Sequence, residues 1–334
     1  MTETSTAPTR ADFERAVGFA VLAPSIHNTQ PWRWVAHDGV LDLYADADRR
    51  LPAVDPDGRG LLVSCGGALW LAVLGFAVAG WETAADRLPD PDRPDLLARV
   101  RAIGARRPTA ETVELARAAE RRHTERRPFD PAPVPAPLLD RLAEVAAGEG
   151  VYASIVTSPD VRLDLAVAFS WSDRVEAEDP AYRAELARWS RPADSASGDG
   201  IPAEAVPHVP AGAPRQTDVP IRDFEAGITG GQTLPEPTDE QPAMLLLFTT
   251  GDGDVDRLRA GEAYVRMSVE AERLGLASSA LTQAIDLPAV RERFRTLMDW
   301  PDHPQMVLRV GRPPAGEPAP PVPRRQISAV LTVE

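Results

Sequence analysis

From Leu61 to Trp81 the chain runs 21 residues without a charged side chain. About 20 apolar residues are enough to cross a bilayer as a helix, so the segment admits two folds. It is either a membrane span or a helix buried on every side in a large core. Ser64, Cys65, Gly66, Gly67, Gly75 and Gly80 dilute its apolarity, and neither flank carries a basic cluster of the kind that orients a span. The buried helix is therefore expected. It demands other elements packed around it, and 334 residues that are 43% hydrophobic can supply them.

Composition then narrows the function. The net charge is -14, which repels nucleic acid and anionic membranes. A lone Cys65 permits no internal disulfide and fits a reducing cytoplasm, and the polar N-terminus has no apolar signal-peptide core. No pair of cysteines or HExxH suggests a metal, so none is expected. Every basic side chain is arginine, because the sequence contains no lysine. Schiff-base chemistry and the P-loop lysine are thereby excluded. Neither GxGxxG nor GxSxG occurs, so a Rossmann dinucleotide site and a hydrolase nucleophile elbow both lack their signatures.

Periodicity predicts helices over 10–23, 109–123, 138–147, 160–176, 180–189 and 257–274, with strands over 32–35, 41–45, 81–88, 151–157, 244–250 and 305–311. Leu96 to Ile103 reads as a short helix. Residues 191–242 are rich in Pro and Gly and read as a linker or lid. Two stretches echo each other: Gly80-Trp81 to Leu88-Pro89 and Leu96–Val100, against Gly275-Leu276 to Leu287-Pro288 and Ala289–Arg291. The echo suggests two related halves, at 1–108 and 109–334, the second including the 191–242 lid and a tail over 312–334.

Two segments are dense in binding chemistry. Pro24-Ser25-Ile26-His27-Asn28-Thr29-Gln30-Pro31-Trp32 crowds hydrogen-bonding side chains between two prolines. Amides there could meet the alternating acceptors and donor of a flavin pyrimidine edge, or simply cap their own turn. Arg122, Thr124, Arg126 and Arg127 could clamp a phosphate, or form an exposed basic helix end. Arg324 and Arg325 add a basic pair that could join the same phosphate if the tail folds back.

Pro24-Ser25-x-x-Asn28-x-Gln30-Pro31-Trp32 resembles the PSxxNxQPW segment of nitroreductases, and Arg122-x-Thr124-x-Arg126 with Phe129 resembles their RxSxRxF segment. Gly275–Gln283 and Pro304–Gly311 are similar to their later core segments, and the Pro323-Arg324-Arg325 tail is similar to that of the Acg-type FMN-binding branch. The resemblance implies an α+β nitroreductase-like fold with mainly antiparallel sheets around a long central buried helix. It also implies an internal duplication, an intrachain pseudo-dimer. In ordinary nitroreductases the arginine segment precedes PSxxNxQPW and two subunits exchange these parts. Here each half keeps what the other lacks, so a single chain would complete one site.

By the same resemblance, Arg122, Thr124, Arg126, Arg127, Arg324 and Arg325 would hold the ribityl phosphate of FMN. Pro24, Ser25, Asn28 and Gln30 would line the ring, and Thr282 and Gln283 would lie near its N5. No catalytic side chain is assigned; His27 is a candidate general acid without an evident partner. The implied activity is an NAD(P)H-dependent oxidoreductase acting on a nitroaromatic or quinone-like acceptor. The alternative is an FMN-sequestering protein whose 191–242 lid closes the site.

Overall fold

The computed structural model describes residues 7–191, 197–202, 205, 207–208, 219, 232–233, 240–297, 302–316 and 321–334. Most of the expected 191–242 lid lies outside the described residues.

The first half runs α1 (Arg10–Ala20), β1 (Trp32–His37), β2 (Val40–Ala45), α2 (Arg59–Ala79), β3 (Trp81–Arg87) and β4 (Leu96–Ala105). The second runs α3 (Ala110–Arg121), α4 (Ala136–Ala147), β5 (Tyr152–Ile155), α5 (Pro159–Glu178), α6 (Pro180–Trp189), β6 (Ala243–Thr249), α7 (Asp254–Arg273), β7 (Ala277–Leu281), α8 (Pro288–Leu297) and β8 (His303–Gly311). A last strand, β9 (Leu331–Val333), returns to the first half.

One sheet has the order β9-β1-β2-β4-β3 and the other β7-β8-β6-β5. Their pairs are antiparallel, except that β9 lies parallel on β1. Read in space, β1-β2-β4-β3 and β5-β6-β8-β7 are one pattern used twice. In chain order α2 and α7 each fall between the second and third strands of their set, while α5, α6 and α8 are extra helices of the later one.

Leu96 to Ile103 is therefore not a helix but the inner strand β4, paired with both β2 and β3. Its period is two. Arg99, Arg101 and Ile103 turn outward while Ala98 and Val100 are buried, and Arg99 reaches Asp42 on β2 with two bonds of 2.8 Å. The proposed echo with 288–291 fails with it, because the spatial counterpart of β4 is β8. Helix α8 is an addition of the second half.

Helix α2 would be long and apolar enough to cross a membrane. Here every residue from Arg59 to Leu69 is buried in protein, against α1 and α7. The α2–α7 contact is backbone against backbone. A Cβ built on Gly261 would lie 1.9 Å from the Val63 carbonyl oxygen, and one on Gly66 would lie 2.0 Å from that of Leu258. The uncharged, glycine-bearing stretch that could have entered lipid is thus spent on seating α2 against α7.

Candidate functional site

A cavity of about 410 Å³ opens where the two halves meet. That is within the range of small-molecule pockets, ~300–1,000 Å³. The first half contributes Leu22, the 24–28 loop and the first turns of α2. The second contributes the end of α3, Thr124, Arg126, Tyr264 on α7, and 279–283 at the end of β7. Pro321, Val322 and Arg324 of the tail complete the wall.

One end of the cavity is cationic. Arg122 caps the C-terminus of α3, and the next residues run beside β7 through a Thr124–Ser278 bridge and a 3.0 Å bond from the Glu125 N–H to the Ser278 carbonyl. This carries Arg122 and Arg126 to the cavity, where Arg324 arrives from the tail. The Leu22 carbonyl, just past the C-terminus of α1, accepts from Arg122 Nη2 at 3.2 Å and Arg324 Nη2 at 3.4 Å. A helix C-terminus carries partial negative charge and suits cations, but one carbonyl does not neutralise two guanidiniums.

Burial lowers the pKa of all three arginines, and for Arg324, with Arg122 and Arg126 repelling it, down to about 9. The Nε atoms of Arg122 and Arg324 are sealed from solvent without a hydrogen-bond partner, and neither arginine has a carboxylate partner among the described residues. Tyr264, also buried, shares this part of the cavity wall with Thr124, Arg122 and Arg126. Buried like charges are costly unless an opposite charge joins them, so this end of the cavity suits an anion.

The 24–31 loop forms a second wall. His27, Asn28 and Gln30 adopt φ of 47°, 52° and 51°, the left-handed region that non-glycine residues rarely enter. Such strain persists only where neighbours over-determine it, and here they do. The Gln30 N–H donates to Ser25 Oγ at 2.9 Å, and the Ile26 N–H to Ser64 Oγ at 3.1 Å. Asn28 Nδ2 donates to the Gly200 and Pro323 carbonyls at 2.8 and 3.1 Å, while its Oδ1 accepts from Arg324 at 3.1 Å. The Asn28 amide is thus committed to protein at both ends.

A third feature was not evident in the sequence. Arg59, the first residue of α2, is fully buried and lines the cavity. A cation at a helix N-terminus opposes the macrodipole, and this was the available signal. Its Nη2 donates to Asp286 at 3.1 Å and its Nη1 to the Gln305 carbonyl at 2.5 Å. The Thr282 hydroxyl donates to the other Asp286 oxygen at 2.8 Å. Asp55 compensates the same helix end, accepting from the Gly60 and Leu61 N–H groups at 2.8 Å each. Burial nevertheless raises its pKa to about 6, with Asp286 adding to the rise.

Of the residues singled out in the sequence, Pro24, Ser25, Asn28, Arg122, Thr124, Arg126, Thr282, Gln283 and Arg324 line this cavity, as does His27. Gln30, Arg127 and Arg325 stand behind its wall. Gln30 is fully buried, donating to the Gly198 carbonyl at 2.7 Å and accepting from the Arg325 N–H at 2.9 Å. Arg325 donates onward to the Gln30 and Trp32 carbonyls. Arg127 is drawn off by Glu125, which it grips through Nε at 2.9 Å and Nη2 at 2.7 Å.

Burial disfavours the Glu125 carboxylate, but Arg127 and His123 outweigh it and bring its pKa from 4.5 to about 2. A depressed carboxyl pKa stabilises the fold above the unfolded value and loses that contribution as pH falls through the folded one. Unfolding free energy should therefore drop by roughly 3 kcal/mol between pH 5 and pH 2 from this group, at about 1.4 kcal/mol per unit. Glu125→Gln should flatten that part of the acid limb in urea titrations. An unchanged limb would remove the Glu125–Arg127 pair from the account.

Fold and cavity together define an α+β protein that repeats one sheet topology and holds an anion-accepting cleft between its halves. No family model matches the chain. It is 38% identical over 319 residues, 93% of its length and 88% of the relative's, to the Mycobacterium tuberculosis protein named "Putative NAD(P)H nitroreductase Rv3131". It is 32% identical over 321 residues, 95% and 94% of the two lengths, to "Putative NAD(P)H nitroreductase acg" of the same organism. Among solved structures, a Bacteroides fragilis nitroreductase with bound FMN aligns at a TM-score of 0.38 and 13% identity, over 61% of this chain and 91% of that one. The mycobacterial sequences decide the matter: the chain belongs to the nitroreductase family, in the branch that includes acg.

Proposed function

We propose that this chain is an FMN-dependent oxidoreductase that draws electrons from NAD(P)H and passes them to a small electron-poor acceptor, nitroaromatic or quinone-like. The observation that carries the reading is the arginine cluster, with Arg122 buried and Arg126 and Arg324 half-buried, at one end of a cavity whose remaining lining mixes apolar side chains with a hydrogen-bonding loop. A phosphate monoester suits the first part and a planar heterocycle the second. The names borne by the mycobacterial relatives point the same way.

On this reading Arg122, Thr124, Arg126 and Arg324 hold the phosphate, with Tyr264 on the same wall. Pro24, Ser25, Thr282 and Gln283 flank the ring. Asn28 acts by pinning the wall, since its amide is already engaged, and Gln30 and Arg325 support it from behind. FMN supplies the hydride and electron transfer; the protein orients it and controls access. The halves at 1–108 and 109–334 descend from one unit, and because both line the cavity, a single chain suffices for one site.

Purified protein should release FMN on heating, identified by chromatography. Arg126→Ala should weaken FMN by about 1–3 kcal/mol, the range for a hydrogen bond to a charged group, and leave riboflavin almost unaffected. Equal weakening of both would make Arg126 structural. Anaerobic NAD(P)H should bleach the flavin band. The latched loop and tail favour a second reading, an FMN-holding protein with little turnover, and a band that stays unbleached would select it.

A further inference from the structure

We infer that the C-terminal segment Pro321–Arg325 is a strap that makes the cavity selective for a terminal phosphate monoester over a dinucleotide. The inference rests on the flavin reading above and adds to it the element that sets the choice.

The strap is held in the structure through β9 on one side and through its own hydrogen bonds to the 24–31 loop. Pro321, Val322 and Arg324 lie on the cavity wall, and the chain continues into β9 on the β1 edge. Ahead of β9 it is latched to the strained loop. Asn28 Nδ2 donates to the Pro323 carbonyl, Arg324 donates to Asn28 Oδ1, and the Arg325 N–H donates to Gln30 Oε1. Its other side lies against Gly198, whose φ is +65° and on which a Cβ would stand 2.4 Å from the Arg324 carbonyl oxygen. Segment 198–200 is tied to the same loop, through the Gly200 N–H to the Asn28 carbonyl at 3.2 Å and Gln30 Nε2 to the Gly198 carbonyl. Loop, strap and 198–200 segment form one three-part latch.

The strap carries its own charge into the cavity. Arg324 shares the cavity wall with Arg122 and Arg126, whose charges repel it. A monoester phosphate is a near-dianion at neutral pH, ends at its free oxygens, and offsets that repulsion with the latch shut. A phosphate inside a dinucleotide carries less charge and continues through one oxygen into a second nucleoside. At this end of the cavity that nucleoside meets the strap, so the latch would have to open and give up its hydrogen bonds. Specificity then comes from a structural obstacle as much as from attraction.

The full-length chain, stripped of flavin, would be titrated with FMN, FAD and riboflavin by flavin fluorescence. Gly198→Val pushes the strap from behind, and Arg325→Ala releases its bonds to the Gln30 and Trp32 carbonyls; neither residue lines the cavity. Wild type should prefer FMN to FAD, and each variant should narrow that ratio roughly tenfold, which is ~1.4 kcal/mol, with riboflavin unmoved. Amide exchange on wild type gives a reading independent of variant folding: the Arg325 N–H should slow with FMN and not with FAD. A preserved ratio in folded variants, or equal slowing by both flavins, overturns the strap. A chain that binds no flavin overturns the flavin reading beneath it.

Discussion

Gly261→Val is expected to unfold this protein, or to lower its stability by about 3 kcal/mol or more, at or beyond the upper end of ordinary overpacking. The new Cβ would fall 1.9 Å from the Val63 carbonyl oxygen and 2.9 Å from the Gly67 nitrogen. Both are backbone atoms of α2, so no rotamer change relieves the clash; the two central helices must separate. Gly104 on β4 is the control, since a Cβ there meets nothing within 4 Å. Urea unfolding should leave Gly104→Ala close to wild type. If Gly261→Val melts with it, the helices do not touch as described.

The second large effect is expected at Arg59. Arg59→Met keeps much of the side-chain bulk but strips the fully buried Asp286 carboxylate of its ion pair and the Gln305 carbonyl of its donor. Removing one partner of a buried pair costs about 3–5 kcal/mol, whereas replacing both by apolar groups is often nearly neutral. The double variant Arg59→Met/Asp286→Leu should therefore be more stable than Arg59→Met alone. A double variant as unstable as the sum of the singles would mean that the pair does not act as a unit.

The sequence made α2 legible because 21 uncharged residues leave few alternatives, and the burial around it explains its lack of polar faces. It misled at Leu96–Ile103, which reads as a short helix and is a strand. The alternation of Ala98 and Val100 against Arg99 and Arg101 acquires its meaning only from β2 and β3 on either side. The loop and arginine segments were visible as chemistry. Which arginines face the cavity was not, because that turns on Glu125, two residues from Arg127, and on the path of the tail. Arg59 and Tyr264 join the cavity lining from α2 and α7. Their place in the cavity depends on the seating of α2 against α7, which no local pattern encodes.

The short strand β9 has a consequence for solubility. It covers the outer edge of β1 by only three parallel pairs, Trp34 with Leu331, Val35 with Thr332 and Ala36 with Val333. An uncovered strand edge is a template for pairing with another chain, and β1 carries two tryptophans within WRWVAH. Proteolytic loss of the last few residues would therefore do more than remove a tail. It would bare an aggregation-prone edge, so that a clipped molecule is driven toward association with its own kind and lost from the pool of soluble protein.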